Sequence, residues 1–280
     1  MLTEPPRSPS ARRSAGFALL IVLWTLVLIA FLVLHLTASG RTEIRIANNL
    51  QSNAIAAAAA DGAISAAIFA LSAPQPDQRW TVNGPSHRLT IGNCQVVVQL
   101  DNEAARINPS LAPPALMESL LRAVGSPPDN ARSTAEAIGD WVGSAQTPKT
   151  ADVLKAEYQA AGLDYAPPGG PLESMDELSR VLGMTPTLFA ALRPHLTLFG
   201  PAQPDPTGGD PVVAAAIAQT PQLGQPTAPS GAALPDTLIV RIIADAKGLG
   251  NARVTRVAVV RVSPSLPQGY AVLAWGNTVD

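Results

Sequence analysis

Residues 12–36 read RRSAGFALLIVLWTLVLIAFLVLHL, and this stretch decides how the rest of the chain is built. From Phe17 to Leu34 the only polar residue is Thr25. Eighteen helical residues at about 1.5 Å each span about 27 Å, close to the roughly 30 Å of a bilayer core. The leader ahead of the run, residues 1–16, holds Arg7, Arg12 and Arg13 against Glu4. That arginine excess predicts a leader in the cytoplasm and a chain lying outside it after Leu36. A cleaved secretory signal needs an apolar stretch of about 7–15 residues before its small-residue site, so Ala38-Ser39-Gly40 follows too long a run to serve. A plain signal anchor and an anchor processed at its basic junction both remain open.

Working outward, no proline occurs between Gly16 and Pro74, and Ile46, Leu50, Ala57, Ile64, Ile68 and Leu71 recur at helical spacings in an alanine-rich stretch. The pattern predicts one helix from Phe17 to about Leu71, roughly 80 Å long, apolar all round at first and amphipathic later. The 280 residues are 47% apolar and 14% charged with a net charge of −2. Soluble domains carry roughly 25% charged residues, so the composition excludes a disordered solvating chain and a general polyanion binder. A single cysteine, Cys94, rules out an intrachain disulfide and a cysteine-based zinc site. His35, His87 and His195 are scattered, and there is no Gly-x-Ser-x-Gly, Walker or HExxH pattern. Gly248-Leu249-Gly250 lacks the third glycine of a dinucleotide fingerprint. The expected class is not an enzyme.

Of the 27 prolines, 22 fall between Pro74 and Pro235, which forbids long helices there. Arg88–Ile91 and Cys94–Leu100 flank Gly92-Asn93 as a hairpin, with Cys94, Val96, Val98 and Leu100 on one face. Cys94 is then a small buried hydrophobe. Short helices follow at Pro114–Val124, Asn130–Val142, Thr150–Ala161, Ser174–Leu182 and Pro186–Leu192. Residues 201–236 are dense in proline and glycine and read as a linker, with Val212–Ala218 making a helical turn or two inside it. Strands return at Thr237–Ala244, Arg253–Val262 and Tyr270–Trp275. The first of these is apolar on both faces, as for a strand covered by a helix. The fold class is therefore α+β, divided into a leader (1–16), a membrane segment (17–36), a distal helix with the first hairpin (37–104), an α-helical insertion (105–200), the linker (201–236) and C-terminal strands (237–280).

Arg12-Arg13-Ser14-Ala15-Gly16 followed by Phe17-Ala18-Leu19-Leu20-Ile21 resembles the processing junction of type IV prepilins and type II secretion pseudopilins. Asp101-Asn102-Glu103-Ala104-Ala105-Arg106-Ile107-Asn108, Asp140-Trp141-Val142, Met175–Met184, Leu192–Thr197 and Leu273-Ala274-Trp275 narrow the resemblance to the K subunit family of the type II secretion pseudopilus. The resemblance implies a pilin-like helix packed on an antiparallel sheet, interrupted by a large helical insertion. It implies a minor pseudopilin at the pseudopilus tip, with subunits of the I and J type as partners. It also implies a prepilin peptidase that cuts after Gly16 and methylates Phe17, and a single pass through the inner membrane with the C-terminal domain in the periplasm. Such subunits usually carry Glu as the fifth mature residue, where this chain has Ile21.

Members of that family bind calcium in the insertion. Here Asp140, Asp152, Glu157 and Asp164 are the weak candidates, and Val142-Gly143-Ser144-Ala145-Gln146 stands where more aspartates are usual. Calcium wants six to eight oxygens, and no EF-hand loop or dense acid cluster is present, so the expectation is no cofactor. Residues 176–186 resemble a helix-hairpin-helix, and a membrane-anchored periplasmic scaffold or DNA-uptake receptor that binds through this element is the alternative reading. With Arg180 and Arg193 facing Glu173, Asp176 and Glu177, no nucleic-acid partner is expected. Arg106-Ile107-Asn108 reads as a structural corner, His195 as a capping or surface residue, and Trp141 and Trp275 as packing residues. A mass spectrum of the membrane-extracted chain should begin at a methylated Phe17, and Gly16→Leu should stay full length. Normal processing of that variant would move the site elsewhere.

Overall fold

The computed structural model describes residues 11–73, 75–220 and 237–278, without the side chains of residues 11–16, 36–44 and 76. Residues 1–10 of the leader and 221–236 of the expected linker lie outside the described residues. One helix, α1 (Ala11–Leu71), runs for 61 residues without a proline to break it. It takes in the six residues before Phe17, among which Ala11, Arg12, Arg13 and Ala15 are good helix formers. The chain divides into two compact units, residues 1–54 and 55–280. In the first, Phe17–His35 is long and apolar enough to cross a membrane, and its side chains are exposed.

Ile46 and Leu50 are exposed as well, which corrects the expected amphipathic face. The buried stripe belongs to the second unit and follows Ala56, Ala60, Ala63, Ile64, Ala67, Ile68 and Leu71. There the helix packs on a five-stranded antiparallel sheet of spatial order β1-β2-β3-β4-β5. The strands are β1 (His87–Ile91), β2 (Cys94–Asn102), β3 (Leu238–Lys247), β4 (Arg253–Val262) and β5 (Tyr270–Gly276). Small alanines on the helix let its backbone approach the strands. Cys94, Val96, Val98 and Leu100 of β2 and Val240, Ile242, Ala244 and Ala246 of β3 fill the space between, all buried. Cys94 is a buried free thiol within this core. Ile91 pairs with Cys94, so Gly92-Asn93 is a two-residue turn, and Gly92 takes a φ of +57° that L side chains rarely adopt.

Strand order in space equals strand order in sequence, yet residues 103–237 intervene between the paired strands β2 and β3. This excursion carries α2 (Pro114–Ala123), α3 (Pro128–Val142), α4 (Ala151–Ala160), α5 (Pro186–Leu192) and α6 (Pro211–Gln219). Their own core gathers Leu116, Leu120, Ile138, Trp141, Tyr158 and Leu178. Two expectations change here. Ser174–Leu182 is only a 3-10 turn, Met175–Arg180, because Gly183 at φ +80° and Pro186 turn the chain at once. The expected linker holds α6, whose Val213, Ala216 and Ile217 are buried in the insertion core. Its proline is the first helical residue, a position that needs no N–H, and Asp210 caps Val212 and Val213.

Ile64→Ala and Ile242→Ala, both at fully buried positions, should each cost about 2–5 kcal/mol in urea unfolding of the detergent-solubilised chain. Leu50→Ala, at an exposed site, should stay within about 0.5 kcal/mol.

Candidate functional site

The chain leaves the sheet at Asn102 and closes a polar neck before it returns. Glu103, in a 3-10 turn of Glu103–Ala105, is fully buried. Arg241 donates to both of its oxygens, Nε to Oε2 and Nη2 to Oε1, each at 2.7 Å. Arg106 Nη1 donates to Oε2 at 3.1 Å, and the Thr197 hydroxyl donates to Oε1 at 2.6 Å. Burial pushes the Glu103 carboxyl up. The hydrogen bond and charge of Arg241, the charge of Arg106 and the Thr197 hydroxyl more than offset this, holding it below its ordinary value of 4.5. Arg241 lies on β3 between Val240 and Ile242, so by alternation it faces away from α1.

Backbone joins seal the same neck. Ile107 N donates to His195 O and Thr197 N to Ile107 O, both at 2.9 Å. Asn108 Nδ2 reaches Leu198 O at 3.0 Å and Gly200 O at 3.1 Å, while its Oδ1 accepts from Ser110 N, as the corner reading of Arg106-Ile107-Asn108 expected. Asn83 Nδ2 donates to Gly208 O at 2.7 Å. Gly208 is required for space, because a Cβ there would stand 2.2 Å from that of Ala105. His195 Nδ1 lies 2.7 Å from Asp210 Oδ2, linking the neck to the cap of α6. Each acceptor in this constellation is taken up by internal donors, and its chemistry is holding rather than reacting.

Two further ties flank it. Asp61 on α1 accepts from Trp275 Nε1 at 3.0 Å and pairs with Arg256 Nε at 3.3 Å, fastening the helix to β4 and β5. Trp275 itself is 42% exposed, whereas Trp141 is buried in the insertion and donates to Glu177 Oε2 at 3.4 Å. The same Glu177 completes a capping box with Ser174. Burial holds it up, but the amides of Ser174 and Glu173 and the Trp141 indole bring it below its ordinary 4.5.

The calcium candidates do not converge. Among the described residues no three of His, Cys, Asp and Glu lie close enough to hold a metal. Asp152 and Asp164 are exposed, while Asp140 and Glu157 both meet Lys149 Nζ, at 3.1 and 2.9 Å. Close by, burial pushes the Tyr158 hydroxyl up to about 12, and it accepts from Leu182 N. The residues do not fit a calcium ion.

Gly16 and Phe17 lie inside α1, with Phe17 68% and Ile21 48% exposed. The structure brings neither to a partner group. Glu103, Arg241, Asp61 and Lys149 were not singled out as a site in the sequence. The available signal was a lone arginine amid the apolar run Leu238–Ile243.

Against this geometry, residues 94–201 match the family described as Type II secretion system (T2SS), protein K. That match covers less than half of the chain. The match starts at the first residue of β2 and ends just past the neck, so it contains Glu103 and Thr197 but not Arg241. Among solved structures, a chain of the GspK-GspI-GspJ complex from the enterotoxigenic Escherichia coli type 2 secretion system aligns over 84% of this chain and 98% of that one, with TM-score 0.52 and 17% identity. At that identity the likeness shows the fold. No curated protein matches the sequence.

Glu103→Gln removes the buried charge that Arg241 and Arg106 both meet and should cost about 3–5 kcal/mol. A carboxyl depressed in the folded state stabilises fully above its unfolded value near 4.5, and that contribution disappears as pH falls through the lower folded value. Acid unfolding of the parent should therefore steepen below pH 4.5, and Glu103→Gln should lack that component.

Proposed function

We infer that this protein is a minor pseudopilin that caps or initiates a type II secretion pseudopilus and supports protein export across the outer membrane. The observation that carries this is the protein K match over residues 94–201, which covers β2 and the helical insertion through α5. The basic leader stays in the cytoplasm, α1 anchors the chain in the inner membrane, and residues 37–280 occupy the periplasm. Prepilin peptidase cuts between Gly16 and Phe17 and methylates Phe17. I- and J-type subunits join it, as the solved GspK-GspI-GspJ complex suggests by its composition.

The missing carboxylate supports the tip. A charge inside hydrocarbon costs several kcal/mol unless an opposite charge meets it. Ile21 has no group to receive the N-terminal ammonium of a subunit docking ahead. A subunit without that acceptor is tolerated where none docks ahead of it, and a bulky insertion is a second bar to stacking copies of this chain.

Purified full-length protein should form no fibres alone and should assemble stoichiometrically with I- and J-type subunits. Ile21→Glu should leave this behaviour nearly unchanged, since the insertion still blocks growth. Homopolymeric fibres, or labelling along the whole shaft, would refute the assignment.

A further inference from the structure

Lys149 stands where helix electrostatics disfavours a cation. It precedes Thr150, the N-cap of α4, at the end of the helix that carries partial positive charge. Asp140 and Glu157 are equally misplaced, each in the last turn of its helix, α3 or α4, against partial negative charge. Asp140 is also buried, at 7% exposure. A buried carboxylate at a helix C-terminus is unstable without a cation beside it. The Lys149 ammonium, 3.1 Å from Asp140 Oδ2 and 2.9 Å from Glu157 Oε2, answers both acids at once.

The segment that delivers it is tightly laid. Gly143 ends α3 at φ +74°, and a Cβ on Gly139 would come within 3.2 Å of Ala145 Cα. The loop from α3 to α4 therefore lies directly on the end of α3, and Lys149 closes it. We propose that the Lys149 ammonium is the resident cation of the helical insertion, filling the role that the family resemblance gives to calcium, so that this insertion holds its shape without a divalent metal.

Three arguments converge on it. Calcium requires six to eight oxygens, and the described residues bring together no three metal-binding side chains. A full positive charge about 3 Å from both acids repels a divalent ion from the space between them. The Glu157 hydrogen bond, working against burial and joined by Asp140, raises the Lys149 ammonium above its ordinary 10.5, so it stays charged in any periplasmic condition. This inference stands apart from the tip assignment, since a calcium-free insertion is compatible with any position in a fibre.

The test uses the full chain in detergent, stripped with EDTA. Thermal unfolding should be the same with EDTA and with calcium chloride, and calorimetry should detect no binding up to about 1 mM, where extracellular calcium modules fill. Lys149→Met should melt at a lower temperature than the parent in low salt, and Lys149→Arg should recover most of the loss. Stabilisation of the parent by calcium that EDTA reverses would overturn the proposal. So would a Lys149→Met chain as stable as the parent in low salt.

Discussion

The carboxylate of Glu103, held by both nitrogens of the Arg241 fork in a site closed to water, is the constraint around which the rest of the second unit is arranged. An ion pair of this kind has a lopsided energetic character. Forming it adds little net stability, because two charges must shed their water, but removing one partner leaves the other stranded. It therefore specifies an arrangement more than it strengthens one. Glu103 sits just past β2, and Arg241 is embedded in β3 beside it in register, across from Asp101. The acid can be neutralised only if the insertion leaves the sheet here and β3 returns here. Arg106, Thr197 and the amides at 107 and 197 then fix the outgoing and returning strands of the neck to the same point.

This explains how one unit supports two hydrophobic cores. One lies between α1 and the sheet and the other among the helices of the insertion. Apolar contact is non-directional and would allow several ways of joining them. Hydrogen bonds to a buried charge are directional and allow few. For a subunit whose proposed work is to present a bulky head at one end of a fibre, a fixed head angle is the useful property. The protein K match begins at β2 and takes in Glu103, Arg106 and Thr197 of the joint, stopping short of Arg241.

Much of this was legible in the sequence, and the reasons are physical. Period-two alternation in Cys94–Leu100 and the Gly92-Asn93 turn report purely local preferences, and β2 follows them. Proline-free alanine-rich sequence gives α1 in the same way. What escaped reading depends on the tertiary structure. Ile46 and Leu50 have helical spacing but are exposed, so spacing alone misassigned the buried face. The helical turns expected at Val212–Ala218 are there, but proline and glycine density assigned them to a linker and hid their place in the insertion core. Glu103 and Arg241 lie 138 residues apart, and no window along the chain shows them as partners. Lys149 reads as an ordinary loop lysine until α3 and α4 bring two acids to it.

A double-mutant cycle between Glu103 and Arg241 addresses the joint most directly, with unfolding of the full chain in detergent measured for Glu103→Gln, Arg241→Met and both together. The structure predicts that the double variant is far more stable than the sum of the single losses implies, with a coupling of about 2 kcal/mol or more. Single losses that add to within about 0.5 kcal/mol would show that the two residues act independently and contradict the account.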